Sequence, residues 1–244
     1  KVSLSINGRT FNAVTNKSGV ALIKFNANAE DYNINISFAG NDKYMRTSLA
    51  KKITVQSSIN LPEITKYTFN SNYLAVLFDG EGKVVKNKNV KILVNDKEYQ
   101  NSTNASGVLN FNIGLSVGSY TISVTNPVTA EVKTQNINVV ARITENKPLT
   151  MYYGAGSSYK VKVHDDNGNV AKGVKVTFTI NGKTYTRTTN SNGYASFKIT
   201  LNPKTYTITA NYKGYKVSNK VVVNPTLILK DRTVKKSRTF SYTV

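Results

Sequence analysis

The sequence predicts an all-β protein built from tandem β-sandwich domains. Hydrophobic residues recur at every second position, glycine-containing turns separate these segments, and the whole pattern repeats along the 244 residues. Short alternating strands with a turn signal about every 8–12 residues are typical of sandwiches. No long segment carries apolar residues at the i, i+3, i+4 spacing of an amphipathic helix. These observations together favour strands throughout the chain.

The clearest strands lie in residues 174–201. Phe178 and Ile180 alternate with polar residues, which indicates a strand with one buried face. Asn181-Gly182 follows, and these two residue types tolerate the positive φ angles of a type I′ hairpin turn. A second turn at residues 189–193 leads into another alternating segment. The segment therefore predicts three strands joined by two tight turns.

Two turn motifs recur along the chain with the same spacing, 88 and then 86 residues. A regular period of this kind indicates repeated structural units. The copies are Asn7-Gly8, Asn95-Asp96 and Asn181-Gly182 for the hairpin turn, and Thr15–Gly19, Thr103–Gly107 and Thr189–Gly193 for the motif Thr-Asn-x-x-Gly.

The period divides the chain into four segments. Residues 58–140 and 141–224, the second and third repeats, are each expected to form a complete sandwich of about seven strands. Residues 1–57, the first repeat, are expected to form a sandwich without its two opening strands, and residues 225–244 resemble the opening strands of a further repeat. Two explanations stay open. The sequence is a piece of a longer array, or residues 225–244 complete the 1–57 domain of another chain.

The junctions between the repeats are short. Residues 140–143 and 222–226 contain no Gly/Ser linker, so the last strand of one repeat runs almost directly into the first strand of the next. Short connections of this kind limit bending between domains. We therefore expect the tandem sandwiches to be arranged as a semi-rigid rod.

The composition excludes some classes of site and favours one kind of partner. The chain has no cysteine, which excludes disulfides and thiolate metal sites, and it has no apolar run of the ~20 residues that a transmembrane helix needs. The formal net charge is +20, with thirteen cations against three acids in residues 141–224. Such a surface attracts polyanions, for example anionic cell-wall polymer or surface glycan. No nucleic-acid-binding motif occurs, so a specific nucleic-acid partner is not expected.

Lys160, Lys162 and Lys198 are the candidate residues of a polyanion-binding face. If their strands are paired, the three side chains share one outer sheet face, because side chains alternate along a strand. Two interpretations stay open: these are solvated lysines that oppose aggregation, or they bind an anionic polymer.

Four Asn-x-Ser/Thr sequences are candidate glycosylation sites in a secreted setting. Chance matches are also expected in so asparagine-rich a chain. The four asparagines are Asn16, Asn35, Asn101 and Asn104.

No catalytic, cofactor-binding or metal-binding residue is predicted. The single histidine, His164, is expected at an exposed strand end, without the third group that orients a nucleophile–base pair. The segments 165–169 and 79–82 do not carry the alternating ligand series of a calcium loop, and turn chemistry explains their aspartates and glycines. We therefore expect a protein without enzymatic activity.

The run from Tyr159 to Ala195, together with the opening segment Leu149–Tyr153, resembles the Ig-like repeats of adhesin-like surface proteins of methanogenic archaea. Their neighbours in fold are the Ig-like domains of bacterial invasin and intimin. The resemblance implies Ig-like sandwiches in a long, secreted or wall-attached array at the cell surface. It carries over no catalytic residue, because the family motif is structural.

The expected function is therefore that of a structural repeat segment of an extracellular cell-surface adhesin or stalk, with neighbouring repeats as its partners. Two alternatives stay open. The chain is a fibre subunit that donates strands 225–244 into the open 1–57 domain of the next copy, or it is a basic module that binds polyanions or the cell wall.

Overall fold

A computed structural model describes residues 1–227 of the chain, and within these residues it contains strands and no helix. Residues 228–244, which include most of the predicted donor segment 225–244, lie outside the described residues. The strands are β1 (Val2–Ile6), β2 (Arg9–Ala13), β3 (Asp31–Phe38), β4 (Thr47–Thr54), β5 (Ile59–Asn60), β6 (Lys66–Thr68), β7 (Ser71–Leu77), β8 (Asn89–Val94), β9 (Lys97–Ser102), β10 (Val108–Ile113), β11 (Gly118–Thr125), β12 (Val132–Val140), β13 (Ile143–Thr144), β14 (Leu149–Tyr152), β15 (Ser158–Val163), β16 (Lys175–Ile180), β17 (Lys183–Thr188), β18 (Tyr194–Lys198), β19 (Lys204–Tyr212) and β20 (Tyr215–Asn224).

The second and third repeats have the same strand arrangement. Each contains a three-stranded sheet, β10-β7-β5 or β13-β15-β18, and a five-stranded sheet, β6-β12-β11-β8-β9 or β14-β20-β19-β16-β17. In both larger sheets the first edge strand runs parallel to its neighbour. Two sheets that bury their apolar faces against each other form a β-sandwich. The predicted all-β, tandem sandwich fold is therefore confirmed.

The first repeat contributes one four-stranded sheet in the order β2-β1-β3-β4. This order matches four of the five strands in the larger sheets of the other repeats. Residues 20–27 correspond in sequence to β10 and β18, but they form no strand. The reason is that β10 pairs with β7 and β18 with β15, and residues 1–57 contain no segment that matches β7 or β15.

The turns have the geometry that the sequence predicts. In the hairpin between β16 and β17, Asn181 has a φ of 50° and Gly182 a φ of 71°, as a type I′ turn requires. In the motif Thr-Asn-x-x-Gly the asparagine Oδ1 accepts hydrogen bonds from the amides two and four residues later. This arrangement recurs at Asn16, Asn104 and Asn190.

A tyrosine near the start of one strand closes the same corner in every repeat. The hydroxyl groups of Tyr32, Tyr120 and Tyr206 donate to the backbone carbonyl four residues earlier, at 3.0, 3.0 and 2.9 Å. A tyrosine that bonds back to the backbone in this way is a hallmark of Ig-like sandwiches.

The chain divides into two compact units. The first comprises residues 1–61, 74–109 and 123–134, and the second comprises 62–73, 110–122 and the residues from 135 onward. These bounds differ from the period of the sequence, and the predicted domain boundaries stay a prediction.

Each unit contains an apolar core of its own. In the first unit, one cluster is formed by Leu4 and Ile6 of β1 with Tyr32 and Ile34 of β3. In the second unit, Phe178 belongs to a cluster of buried residues, with its ring centroid 6.1 Å from that of Tyr159 and 6.0 Å from that of Phe197. Stacked and edge-on rings at such distances add to the stability that burial supplies.

Candidate functional site

The three predicted lysines lie on one outer face of the small sheet in the third repeat. In the pairing of β15 with β18, Lys160 is opposite Ser196, Lys198 is opposite Ser158, and Lys162 is opposite Tyr194. Lys160 and Lys198 are exposed, and Lys162 is half-buried. The structure brings the three residues together, and their role in binding stays a prediction.

Lys162 differs from the other two lysines because it has charged and aromatic neighbours. Its Nζ lies 3.8 Å from Glu145 Oε1 and 5.5 Å from the centre of the Tyr194 ring. The Tyr194 hydroxyl donates to Glu145 Oε2 at 2.7 Å, and this hydrogen bond raises the pKa of Tyr194. Lys162 is therefore partly neutralised, whereas Lys160 and Lys198 form no ion pair within the described residues.

The four candidate glycosylation residues are all exposed. Asn16 and Asn104 hold tight turns through Oδ1, as described above, and Asn101 Oδ1 accepts a hydrogen bond from the amide of Ser102 at 2.8 Å. Asn35 lies on β3. Glycosylation of these residues stays a prediction.

His164 is not the exposed residue that the sequence predicts. It is half-buried, and its Nδ1 is enclosed without a hydrogen-bond partner among the described residues. Its backbone has neighbours on two sides, because the His164 amide donates to the Arg142 carbonyl at 2.8 Å and the residue forms a bridge with Val170. Burial lowers the pKa of His164, and the charge of Lys162 lowers it further.

The two aspartate loops are held by their own backbone. Asp165 Oδ1 accepts hydrogen bonds from the amides of Asn167 and Asn169 at 3.0 and 2.8 Å. Asp79 Oδ1 accepts from the amides two and four residues later, both at 2.9 Å. Turn chemistry therefore accounts for both aspartates. Within residues 1–227, no cluster of three metal-ligating side chains is found.

The sequence did not single out Arg142, a fully buried arginine at the junction of the second and third repeats. It lies between β12 and β13, and its side chain is 0% exposed. Its Nε donates to the backbone carbonyl of Phe69 at 2.6 Å, and Nη2 donates to Ser71 Oγ at 3.3 Å and to Asp166 Oδ1 at 2.8 Å. Arg142 also lies over the Tyr212 ring, 5.6 Å from its centre. The guanidinium therefore joins the turn between β6 and β7 to the third repeat.

Further hydrogen bonds connect the same turn with the 165–169 loop. The Thr68 amide donates to the backbone carbonyl of Asp166 at 3.1 Å, and its Oγ1 donates to the carbonyl of Asp165 at 2.8 Å. Ser71 Oγ lies 2.7 Å from the Asp166 carbonyl, to which it donates. Thr68 and Ser71 are buried, so the bonds replace the water that the polar groups of this turn would otherwise bind.

Side-chain packing closes the junction around these hydrogen bonds. The Phe69 and Tyr215 rings lie with centroids 5.9 Å apart. Gly168 has a φ of 72°, and a Cβ at this position would lie 2.8 Å from Val140 Cγ2 and 2.9 Å from Lys66 Cε. Only glycine therefore fits at the point where the loop contacts β12 and β6.

The electrostatics of the junction depend on Asp166. Burial raises the pKa of Asp166, but hydrogen bonds from Lys213 and Arg142 outweigh it, so the pKa lies below its ordinary value of 3.8. Lys213 Nζ donates to both carboxylate oxygens, at 2.9 and 2.8 Å. Asp166 is therefore ionised at neutral pH, and its single negative charge is shared by Arg142 and Lys213. We name the set of Phe69, Ser71, Arg142, Asp166 and Lys213 the arginine junction.

A comparison of the repeats contains the signal that could have revealed this site. The second repeat has Ser58 where the third has Arg142, and Gly80 where the third has Asp166. The third repeat therefore has a positive and a negative residue at two positions where the second repeat has uncharged residues. In the second repeat, Ser58 instead bonds Glu131, whose Oε2 accepts from its amide and from its hydroxyl, both at 2.6 Å.

The two-sheet sandwiches, the repeated strand order and the tyrosine corner define the class of the protein as tandem Ig-like repeats. Residues 160–230 match the family model of the carboxypeptidase regulatory-like domain, which covers most of the third repeat. None of the curated proteins matches the chain. No helix in the described part of the chain is long and apolar enough to cross a membrane.

Several solved structures are similar to the chain at low identity. One is SGBP-B of the Bacteroides ovatus mixed-linkage glucan utilization locus, in complex with a mixed-linkage heptasaccharide (15% identity, 96% of this chain and 63% of that chain, TM-score 0.26). Another is a Ca²⁺-stabilised adhesin that helps an Antarctic bacterium bind ice (15%, 93% and 66%, TM-score 0.24). A third is a tandem of titin domains (12%, 93% and 89%, TM-score 0.36). The chain spans less than two thirds of the first two. The TM-scores are low, so the fold assignment rests on the strands and sheets described above.

Proposed function

We propose that the chain is a non-enzymatic structural segment of an extracellular, cell-surface adhesin or stalk. The observation that carries this proposal is the arginine junction, which joins one repeat to the next through a buried side chain. A flexible linker would serve a protein whose domains act separately. A buried, hydrogen-bonded junction instead suits a segment whose repeats hold a fixed relationship.

The connection between the second and third repeats is short. β12 ends at Val140 and β13 begins at Ile143, so two residues separate them. One of the two is Arg142, whose guanidinium bonds the preceding repeat and the following loop. Bending at this connection would break the hydrogen bonds of the guanidinium and leave buried polar groups without partners, which is unfavourable.

Labelling of intact cells tests the location that we propose. Antibodies raised against the full chain should label unpermeabilised cells of the source organism, and brief treatment of these cells with a protease should remove the label. An antibody against a cytoplasmic protein provides the control for cell integrity. Labelling that appears only after lysis would contradict the proposal.

Mechanical unfolding of the full chain tests the structural role. The proposal treats each complete sandwich as a separate folding unit, so the chain, held by its two ends, should unfold in separate events. A repeat of 86 residues should release about 300 Å of chain per event at roughly 3.3–3.6 Å per residue. A single event that released the whole length would argue against independent repeats.

A second candidate function is assembly by strand addition, which the exposed apolar side chains of residues 20–27 favour. Val20 is 61% exposed and Leu22 is 75% exposed. Ile23 and Phe25 pack against the apolar cluster of β1 and β3 but are only half-buried. An unpaired, apolar segment of this kind attracts a strand from another chain. The occupant in this proposal is residues 225–244 of a second copy.

Light scattering distinguishes this candidate from the first. The full chain should form assemblies that grow with concentration, and a chain that ends at residue 224 should stay monomeric. The stalk proposal requires no such difference. Monomers in both samples would exclude strand addition by residues 225–244.

A further inference from the structure

We propose that the small sheet of the third repeat binds an anionic polysaccharide through Lys160 and Lys198. We name the two lysines, with the flanking hydroxyl groups of Ser158 and Ser196, the lysine patch. This site is separate from the arginine junction, and it adds a ligand to a segment whose proposed role is otherwise structural.

The register of β15 and β18 places the patch residues close together. Lys160 is opposite Ser196 and Lys198 is opposite Ser158, so the two lysines are diagonal neighbours on one face. Diagonal neighbours on paired strands lie about 7–8 Å apart, within reach of each other's long side chains. Two ammonium groups and two hydroxyl groups therefore form one compact donor surface.

The positive charge of the patch is not compensated nearby. Within residues 141–224 the three acids are Glu145, Asp165 and Asp166. Glu145 contacts Lys162, Asp166 belongs to the arginine junction, and Asp165 holds its own loop. The sequence contains no further acid from residue 167 to residue 227. Unpaired charges of one sign on one face concentrate counter-ions and charged ligands there.

The second repeat indicates that the fold does not need these lysines. Its residues at the positions of Lys160 and Lys198 are Leu74 and Asn112, and its small sheet has the same strand order. Leu74 is 46% exposed, so an apolar residue is tolerated there at the surface. The charges are thus a property of the third repeat, and the second repeat serves as an internal comparison without them.

The backbone beside the patch supports Lys198. A Cβ placed on Gly156 would lie 3.5 Å from Lys198 Cε and 3.9 Å from its Nζ. The lysine side chain therefore extends along the turn that contains Gly156. A side chain whose freedom is already limited by a neighbouring turn loses less conformational entropy when a ligand binds it.

The surroundings of the patch favour a polysaccharide over a single-stranded nucleic acid. Proteins that bind single strands without sequence preference stack the bases on aromatic side chains. On β15 and β18 the outward aromatic residue is Tyr194, whose ring lies against Lys162 and whose hydroxyl bonds Glu145. The face offers ammonium and hydroxyl groups instead, which suit the sulfate, carboxylate and hydroxyl groups of an anionic sugar chain.

The test measures binding of heparin, a sulfated polysaccharide, to the full chain and to two double variants. The patch variant is Lys160→Gln with Lys198→Gln. The control is Lys183→Gln with Lys204→Gln, which removes the same charge from exposed lysines of the other sheet. Neutral dextran and an oligothymidine serve as comparison ligands, and thermal unfolding verifies that both variants fold.

We expect the patch variant to bind heparin about tenfold more weakly, which corresponds to about 1.4 kcal/mol. The control should change affinity by much less. The slope of log affinity against log salt should fall by roughly two in the patch variant, since two ionic contacts are lost. Equal weakening by both variants would show that only overall charge matters and would overturn the site. Absence of heparin binding, or tighter binding of the oligothymidine, would overturn the proposed ligand.

Discussion

Arg142 Nη2 and Asp166 Oδ1 lie 2.8 Å apart, although the arginine side chain is fully buried and the aspartate side chain is 45% exposed. The buried partner therefore depends on the exposed one for its compensating charge. The same carboxylate also binds Lys213, whose side chain is 47% exposed. Because a buried charge without a partner is strongly unfavourable, the loss of Asp166 should cost more stability than the loss of Lys213.

Asp166→Asn should destabilise the protein far more than Lys213→Gln. The first change leaves the buried guanidinium without its carboxylate and should lower the free energy of unfolding by about 3 kcal/mol, at the low end for broken buried pairs because Asp166 is partly exposed. The second removes an exposed partner and should change it by less than about 1 kcal/mol. Denaturant unfolding of the full chains measures both. Similar losses would show that the burial of Arg142 is not decisive.

The contribution of Asp166 should depend on pH in the acidic range. Its pKa in the folded state lies below the ordinary value of 3.8 because bonds from Lys213 and Arg142 outweigh burial. The carboxylate therefore stabilises the fold fully above the unfolded pKa, and this stability is lost as the pH falls through the folded pKa. The difference in unfolding midpoint between the natural chain and Asp166→Asn should stay constant near neutral pH and shrink below 3.8. A difference in unfolding midpoint that stays the same below pH 3.8 would contradict the ion pairing of Asp166.

Gly168→Ala should destabilise the protein more than Gly182→Ala. Both glycines have nearly the same φ, 72° and 71°, so both substitutions meet the unfavourable left-handed backbone, about 1–2 kcal/mol. A Cβ at Gly182 has open space around it, whereas one at Gly168 would clash with Val140 and Lys66. The excess loss at Gly168 should be a further 1–3 kcal/mol, roughly as for overpacking. Thermal unfolding of the two variants measures the difference. Equal decreases in Tm would show that Val140 and Lys66 move aside at little cost.

Tyr206→Phe should lower the free energy of unfolding by about 1 kcal/mol, the net worth of one intramolecular hydrogen bond. The change removes the hydroxyl that donates to the Asn202 carbonyl at 2.9 Å and keeps the ring. Tyr153→Phe is the matched control, since Tyr153 is 46% exposed and its hydroxyl forms no hydrogen bond within the described residues. An equal effect of the two changes, measured by denaturant unfolding, would mean that the tyrosine corner adds nothing.

Much of the fold could be predicted because its signal is local. The alternation around Phe178 and the turn at Asn181-Gly182 involve residues next to each other, and the structure confirms both. The shared face of Lys160 and Lys198 followed from the same alternation once their strands were taken as paired. The exposure of His164 was predicted wrongly, because its backbone pairs with Arg142 and Val170, and the alternation around His164 does not reveal these contacts.

By itself the sequence determined the strands, the turns and the repeat, since these depend on the order of apolar residues and glycines within a few positions. Only the tertiary structure decided the burial of Arg142, whose partners Phe69 and Ser71 lie 73 and 71 residues earlier. An arginine is normally a surface residue, so nothing in its immediate neighbours predicts burial. The free energy of a charge is set by all the groups around it, and distant segments supply those groups only when the chain is folded.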